Sequence, residues 1–204
     1  MFKNPVIIFE GIETSGKSTN INIATNYLKK RRKSFIKFRE PGGTIVSEKI
    51  RKLLLNKKLK SNNKTDLMLF YAARSENYEK IIKKNFNKKI ILIDRFIDST
   101  IAYQHYGMNI DLNIIKSLNR LITENFKSDI TFLSTVNMKN LKLRLSKRSE
   151  LNRYDSFKLN FYNKVQKGYY NISKSKKNYV IIDSNKNSIK EVKKIIISKL
   201  EKII

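Results

Sequence analysis

The run Gly11-Ile12-Glu13-Thr14-Ser15-Gly16-Lys17-Ser18 has the spacing G-x-x-x-x-G-K-S. Glycines so placed let successive backbone N–H groups turn inward around an anion. The lysine can reach terminal phosphates, and the serine hydroxyl suits a Mg²⁺ ligand. The apolar run Val6–Phe9 precedes it and a helical pattern opens near Ser18, which is the strand–loop–helix context the motif requires. Gly11, Glu13, Thr14, Ser15, Gly16, Lys17, Ser18 and Thr19 are therefore expected to contact a nucleoside triphosphate.

Further charged groups recur at the ends of apolar runs. Ile90–Ile93 leads into Asp94-Arg95, where a carboxylate can organise Mg²⁺ together with Ser18 and an arginine can face the same phosphates. After Phe35–Phe38 comes Arg39-Glu40-Pro41-Gly42-Gly43-Thr44. This is either an ordinary turn or a shaped loop in which Arg39 and Glu40 meet a ligand, with Arg51 on the following helix. Arg144, Lys147, Arg148 and Arg153 crowd a segment, about 144–155, in a chain whose other positive charge is mostly lysine. That segment reads as a solvated helix or as a lid whose guanidiniums close on phosphoryl oxygens. Acids are scarce, yet Glu10, Glu13, Glu40, Asp94 and Asp98 all fall at strand ends or just beyond, a placement that favours site chemistry.

The elements that must position these residues are legible in the apolar pattern. Val6–Phe9, Phe35–Phe38, Ile90–Ile93, Ile130–Leu133 and Tyr179–Ile182 are near-continuous apolar runs, as expected of strands buried on both faces of a parallel sheet. Helical stretches lie between them. Asp111 can cap a helix carrying Leu112, Ile115, Leu118 and Leu121/Ile122. Ser188-Ile189-Lys190-Glu191 reads as a capping box for a last helix with Ile189, Val192, Ile195, Ile196 and Leu200 inward. The alternation predicts one doubly wound α/β domain over 1–204, with ligands at the carboxyl ends of the strands.

Composition narrows the classes. The 204 residues are 40% hydrophobic, enough for a packed core. No apolar run approaches the roughly 20 residues of a membrane helix, and the N-terminus lacks a secretory signal, so a cytoplasmic protein is expected. Zero cysteines exclude disulfides and thiol catalysis, and one histidine, His105, argues against a histidine-based metal site or triad. Lys and Arg number 44 against 17 acids, a net charge of +27. That charge fits polyanion binding, or a genome rich in A and T whose lysine codons spread over the whole chain.

Taken in order, the phosphate loop, Arg39–Thr44, Leu69-Phe70-Tyr71-Ala72-Ala73-Arg74, Asp94-Arg95 with Asp98-Ser99-Thr100-Ile101-Ala102-Tyr103-Gln104, and Arg148–Arg153 resemble the bacterial thymidylate (dTMP) kinases across essentially the whole chain. The resemblance implies transfer of the γ-phosphoryl group of ATP to dTMP with Mg²⁺. It also implies the nucleoside monophosphate kinase form of the P-loop fold, a five-stranded parallel sheet flanked by helices, in a homodimer. It implies that Phe70 stacks on thymine, that Arg74 bonds its O4 edge, and that Thr100 and Gln104 meet base and substrate. Tyr103 would crowd C2′, Glu13 would lie by the 3′-hydroxyl, Glu40 would line the substrate site, and Arg51 and Arg95 would hold the acceptor phosphate. Lys17, Arg95, Arg148 and Arg153 would carry catalysis.

The chain also departs from the pattern. Thr14 stands where one branch of the family has arginine, which implies that the lid supplies that charge. His105 stands where glycine is usual, Tyr154-Asp155 where an aliphatic-Glu pair is usual, and Ser134-Thr135 where Asp is usual. A kinase for UMP or CMP, and a basic nucleic-acid-binding P-loop protein, are the alternatives.

Overall fold

In the computed structural model, which describes residues 4–59 and 61–204, each of the five apolar runs is a strand, extended by one or two residues at its carboxyl end. The elements are β1 (Val6–Gly11), α1 (Lys17–Lys30), β2 (Phe35–Arg39), α2 (Ile45–Leu55), α3 (Asn63–Asn77), α4 (Lys83–Asn85), β3 (Ile90–Asp94), α5 (Ile97–Thr100), α6 (Leu112–Thr123), β4 (Ile130–Thr135), α7 (Met138–Ser146), α8 (Leu159–Lys174), β5 (Tyr179–Asp183) and α9 (Ile189–Leu200). Wider π-helical turns continue α3 over Tyr78–Ile82 and α5 over Ile101–Gly107, and a short 3₁₀ turn spans Arg153–Ser156.

All pairings are parallel, in the order β2-β3-β1-β4-β5. The chain leaves β1 toward one edge and later returns to its other side, so the strand order reverses beside β1. A crevice must open there, at the carboxyl ends of β1 and β3. Register brings the chemistry to it: Phe9 is level with Asp94, Asp94 with Arg39, and Gly11 with Ser134.

Strand alternation divides the core. Ile7 and Phe9 of β1 join Leu92, Ile130 and Phe132 under Ala24 and Leu28 of α1 and Ile196 and Leu200 of α9. Phe9 and Phe132 stack at 5.3 Å. Val6 and Ile8 face the other way, with Ile91, Ile93, Phe38, Tyr78, Ile82 and Phe96. A third cluster, beneath the crevice, gathers Ile12 and Leu133 with Tyr103, Tyr154, Tyr162 and Tyr169.

The expected caps are present. Asp111 accepts from Asn113 N, and Ser188 and Glu191 form a reciprocal capping box. Ile189 is not inward, however. It occupies the first turn of α9 and is 70% exposed, because the buried stripe starts at Val192 and runs through Ile196 to Leu200. On α6, Ile122 rather than Leu121 packs inward.

The π-helical segment 101–107, which carries Tyr103 and Gln104, lies tightly against α8. A Cβ on Gly168 would sit 2.6 Å from the ring of Tyr106. Gly168→Ala should therefore lower stability by about 1–3 kcal/mol, since well-packed elements do not absorb an added carbon without shifting. Urea unfolding followed by circular dichroism checks this, and an unchanged midpoint would show that the contact is slack.

Candidate active site

The phosphate loop is shaped by β1 and α1. Gly11 and Gly16 have φ of 141° and 93°, and a Cβ on Gly11 would collide with the Ser134 carbonyl. Thr14 also adopts a left-handed φ, 53°, uncommon for a β-branched residue. The loop is held there from outside. Arg144 Nη1 of α7 donates to Thr14 O at 2.9 Å and to Ser184 Oγ at 3.0 Å. Thr14 Oγ1 is buried and finds no partner among the described residues. It fits an acceptor brought by a ligand.

Lys17 Nζ donates to Asp94 Oδ1 at 2.6 Å, joining α1 to the end of β3. Burial, and then the neighbouring Arg95, pull the lysine below its ordinary range, and Asp94 opposes them. Arg95 has φ of 67°, and its N–H donates to Phe9 O at 2.9 Å, so the chain turns sharply after β3. The turn aims the guanidinium at Glu13, 3.0 Å away, and across the face of Tyr103. Tyr103 OH donates to the other Glu13 oxygen at 2.6 Å. Burial raises this phenol well above its ordinary range, so it is a donor at all ordinary pH. The loop after β1, the turn after β3 and the segment after α5 are thus joined by one carboxylate.

A buried ion pair organises the far wall. Arg74 Nε donates to Glu40 Oε2 at 2.8 Å, with both residues at most 5% exposed. The same guanidinium donates to Phe96 O and to Thr100 Oγ1 at 2.9 Å. Burial pushes the Glu40 carboxyl up against the pull of Arg74. In Arg74 the effect of burial is outweighed by Glu40, and the charge is retained. Asn77 donates to Gly42 O at 2.7 Å and so fixes the Pro-Gly-Gly loop, whose Glu40–Pro41 peptide is cis. Arg51 Nη1 donates to Pro41 O at 2.8 Å, and Arg39, which borders the same cavity as Glu40 and Arg51, pairs with Glu48.

These groups line one cavity of about 590 Å³ that runs from the phosphate loop to Phe70, Thr100 and Gln104. Glu13, Thr14, Ser15, Gly16, Lys17, Ser18, Thr19, Glu40, Arg51, Phe70, Arg74, Asp94, Arg95, Thr100, Tyr103, Gln104 and Arg148 all border it, and Gly11 sits at the strand end behind. Arg153 does not border it; its guanidinium is turned to Asp66 and Ser61. Within 144–155, Arg148 is the arginine at the cavity, paired with Asp155.

Glu10 and Asp98 also lie away from the cavity, contrary to the expectation from their positions at strand ends. Glu10 is fully buried and accepts from Phe96 N at 2.9 Å, from Ser99 and from Tyr169 OH, so it anchors the turn behind Arg95. Asp98 pairs with Lys176 and Tyr179. Phe70 is only partly buried and faces Tyr154 edge-on at 5.9 Å, while Leu67 and Tyr71 of the same helix pack into the core. His105 Nδ1 bonds Ile110 O at 2.8 Å as part of the local fold.

Tyr154 and Asn152 also line the cavity and were not anticipated as site residues. The signal for the turn was present as Asn152-x-x-Asp155, which folds as a small capping box: Asn152 accepts from Tyr154 N and Asp155 from Asn152 N.

Ser18 and Asp94 border the cavity together, and no group of three or more His, Cys, Asp or Glu side chains among the described residues could cage a metal. That donor set fits Mg²⁺, which takes one or two protein ligands and completes its shell with phosphate and water.

The thymidylate kinase family model matches residues 9–196. The thymidylate kinase of Thermosipho africanus is 40% identical over 93% of this chain and 96% of its own. That of a Sulfurihydrogenibium species is 39% identical over 96% of each. The crystal structure of thymidylate kinase from Ehrlichia chaffeensis superposes with a TM-score of 0.79 at 34% identity, covering 98% of this chain and 99% of that one. The chain belongs to the thymidylate kinase family.

Proposed function

We propose that this enzyme transfers the γ-phosphoryl group of ATP to dTMP, giving dTDP and ADP. The observation that carries the reading is one continuous cavity, in which a phosphate loop at one end and the Phe70, Arg74, Thr100 and Gln104 group at the other are separated by Lys17, Arg51 and Arg95. The phosphate loop takes the β- and γ-phosphates of ATP. Phe70 offers a face for the pyrimidine ring, and Arg74, already held by Glu40 and Thr100, presents its guanidinium edge to a base carbonyl. In this reading Tyr103, fixed by Glu13, crowds the C2′ position of the bound sugar and so favours a deoxynucleotide.

The acceptor is an anionic phosphate oxygen, so no general base is needed. An acceptor oxygen–phosphorus bond forms as the bond from the γ-phosphorus to the β-bridging oxygen breaks, and that electron pair leaves with ADP. Catalysis is then alignment and neutralisation of charge. Arg51 and Arg95 hold the acceptor, Lys17 exchanges Asp94 for the donor phosphates, and Arg148 brings charge from the segment 144–155. Ser18 and Asp94 would hold Mg²⁺, which supplies further neutralisation of the β- and γ-phosphates when bound.

A homodimer is supported by a run of exposed apolar side chains on neighbouring helices: Ile45 and Leu53 of α2, Met68 of α3, and Ile114 and Leu121 of α6. Helix α2 packs on α3, and α3 on α6, so the helices that carry these side chains are neighbours. No helix among the described residues is long and apolar enough to cross a membrane, and both substrates belong to the cytoplasmic nucleotide pool, which is the location we assign.

Coupled-assay turnover with ATP-Mg²⁺ against dTMP, dUMP, UMP, CMP and AMP is expected to favour dTMP strongly. Preference for UMP or CMP would overturn the assignment of the Phe70 end of the cavity. Arg148→Ala should lower kcat about 10²-fold with little change in KM for dTMP, the signature of a contact made in the transition state; an unchanged kcat would remove Arg148 from the chemistry. Met68→Lys should convert the dimer into a monomer by light scattering, while a wild-type chain that is already monomeric would refute the interface.

A further inference from the structure

Asp66, in the first turn of α3, is fully buried and lies outside the cavity. Arg153 Nη2 approaches its Oδ2 at 2.8 Å, and Nη1 donates to Oδ1 at 3.0 Å. Ser61 Oγ donates to the same carboxylate, and Tyr154 OH is 3.4 Å from Oδ2. Arg153 also donates to Ser61 Oγ at 2.8 Å and to Ser61 O at 3.1 Å. Asp66 therefore joins the loop before α3, α3 itself and the turn Arg153–Ser156.

The spacing on α3 gives this junction a consequence. Asp66, Phe70 and Arg74 follow at intervals of four, so they share one helix face. Tyr154, adjacent to Arg153, faces Phe70 at 5.9 Å and Tyr103 at 6.1 Å and lines the cavity. Its backbone is held as well, since Tyr162 OH donates to Tyr154 O. If Arg153 swung to the phosphates, a carboxylate with no exposure would lose its counter-charge, a state that folded proteins avoid.

We propose that Asp66 and Arg153 are positioning residues whose buried pair fixes Tyr154 as the outer aromatic wall of the nucleobase pocket, setting affinity and selectivity for the nucleoside monophosphate, and that Arg153 is not a ligand of the transferring phosphate. The proposal rests on the monophosphate kinase reading above.

The test is steady-state kinetics of Arg153→Gln, Asp66→Asn, the double variant and Arg153→Lys, with dTMP and ATP varied in turn and thermal melts recorded. Each single variant should raise KM for dTMP about tenfold and narrow the preference for dTMP over UMP. KM for ATP and kcat at saturating dTMP should stay within about threefold. The double variant should be no worse than the singles, because both remove one interaction, and Arg153→Lys should recover part of the loss. Simple destabilisation would lower the melting temperature and the active fraction without moving KM or the dTMP/UMP ratio. That result overturns the proposal. So does a kcat loss of about 10²-fold in Arg153→Gln with KM for dTMP unchanged and Asp66→Asn silent, the pattern of a phosphate ligand.

If Asp66→Asn fails to fold, the double variant, which buries no unpaired charge, carries the comparison. A wild-type enzyme that prefers another monophosphate shifts the substrate assignment, and the same comparison is then read on that substrate. A wild-type enzyme that phosphorylates no monophosphate overturns both readings.

Discussion

The pair of Arg74 and Glu40 is the constraint on which the site end of the molecule depends. A carboxylate and a guanidinium this buried must satisfy each other and their remaining hydrogen-bonding atoms inside the protein; removing one partner of such a pair costs about 3–5 kcal/mol. The bonds that satisfy them reach in several directions. Glu40 and Asn77 draw the loop after β2 onto α3, and Arg74 reaches Phe96 O after β3 and Thr100 at the end of α5. Asn119 of α6 closes the set at 3.4 Å. The pair thus sets the separation of α3 from the strand ends. That separation is the width of the pocket between Phe70 and Thr100.

A second carboxylate, Glu13, does for the phosphate end what Glu40 does for the base end. It accepts from Arg95 and Tyr103, and so ties the phosphate loop to the turn after β3. Glu10, one strand register behind, fixes that turn from below through Phe96 N and Ser99. Acids are few in this chain, and the ones near the crevice are nearly all used to aim cations. A field of +27 offers no shortage of positive charge. What the site needs is positive charge held at particular places, and buried carboxylates supply that constraint.

Much of this was legible in the sequence, for reasons that differ by element. The central strands β1, β3 and β4 were visible because a parallel sheet covered on both faces demands continuous apolar runs, whereas the edge strands β2 and β5, expected to be buried on both faces, are only partly so, with Ile181 47% exposed. The phosphate loop was visible because its glycines answer to backbone geometry alone. Residues whose roles depend on the third dimension were less legible. Glu10 and Asp98 sit at strand ends like Asp94. Yet Glu10 is taken up behind the cavity wall by Phe96 N, Ser99 and Tyr169, and α5 carries Asp98 to Lys176 and Tyr179. Ile189 satisfied the helical period but fell in the first turn of α9, before the helix reaches the sheet.

The segment 144–155 shows most clearly where reading by residue type stops. Arg144, Arg148 and Arg153 are alike in the sequence, and any of them could serve a phosphate. Their partners separate them. Arg144 holds the carbonyl of Thr14 and braces the phosphate loop from behind. Arg148 borders the cavity, is 39% exposed and meets Asp155 through one nitrogen, while that buried carboxylate keeps the Asn152 N–H and side-chain amide as further donors, so the guanidinium is the one free to turn to a phosphate. Arg153 is 17% exposed and is bonded through both terminal nitrogens to Asp66 and Ser61, so its charge is committed. Three identical side chains within ten residues therefore divide into a brace, a phosphate-facing cation and an anchor. The division is set by what each guanidinium meets, backbone and hydroxyl oxygens for Arg144, one bond to Asp155 at the cavity for Arg148, and several bonds to Asp66 and Ser61 for Arg153, and those partners are fixed by packing outside the segment as much as within it.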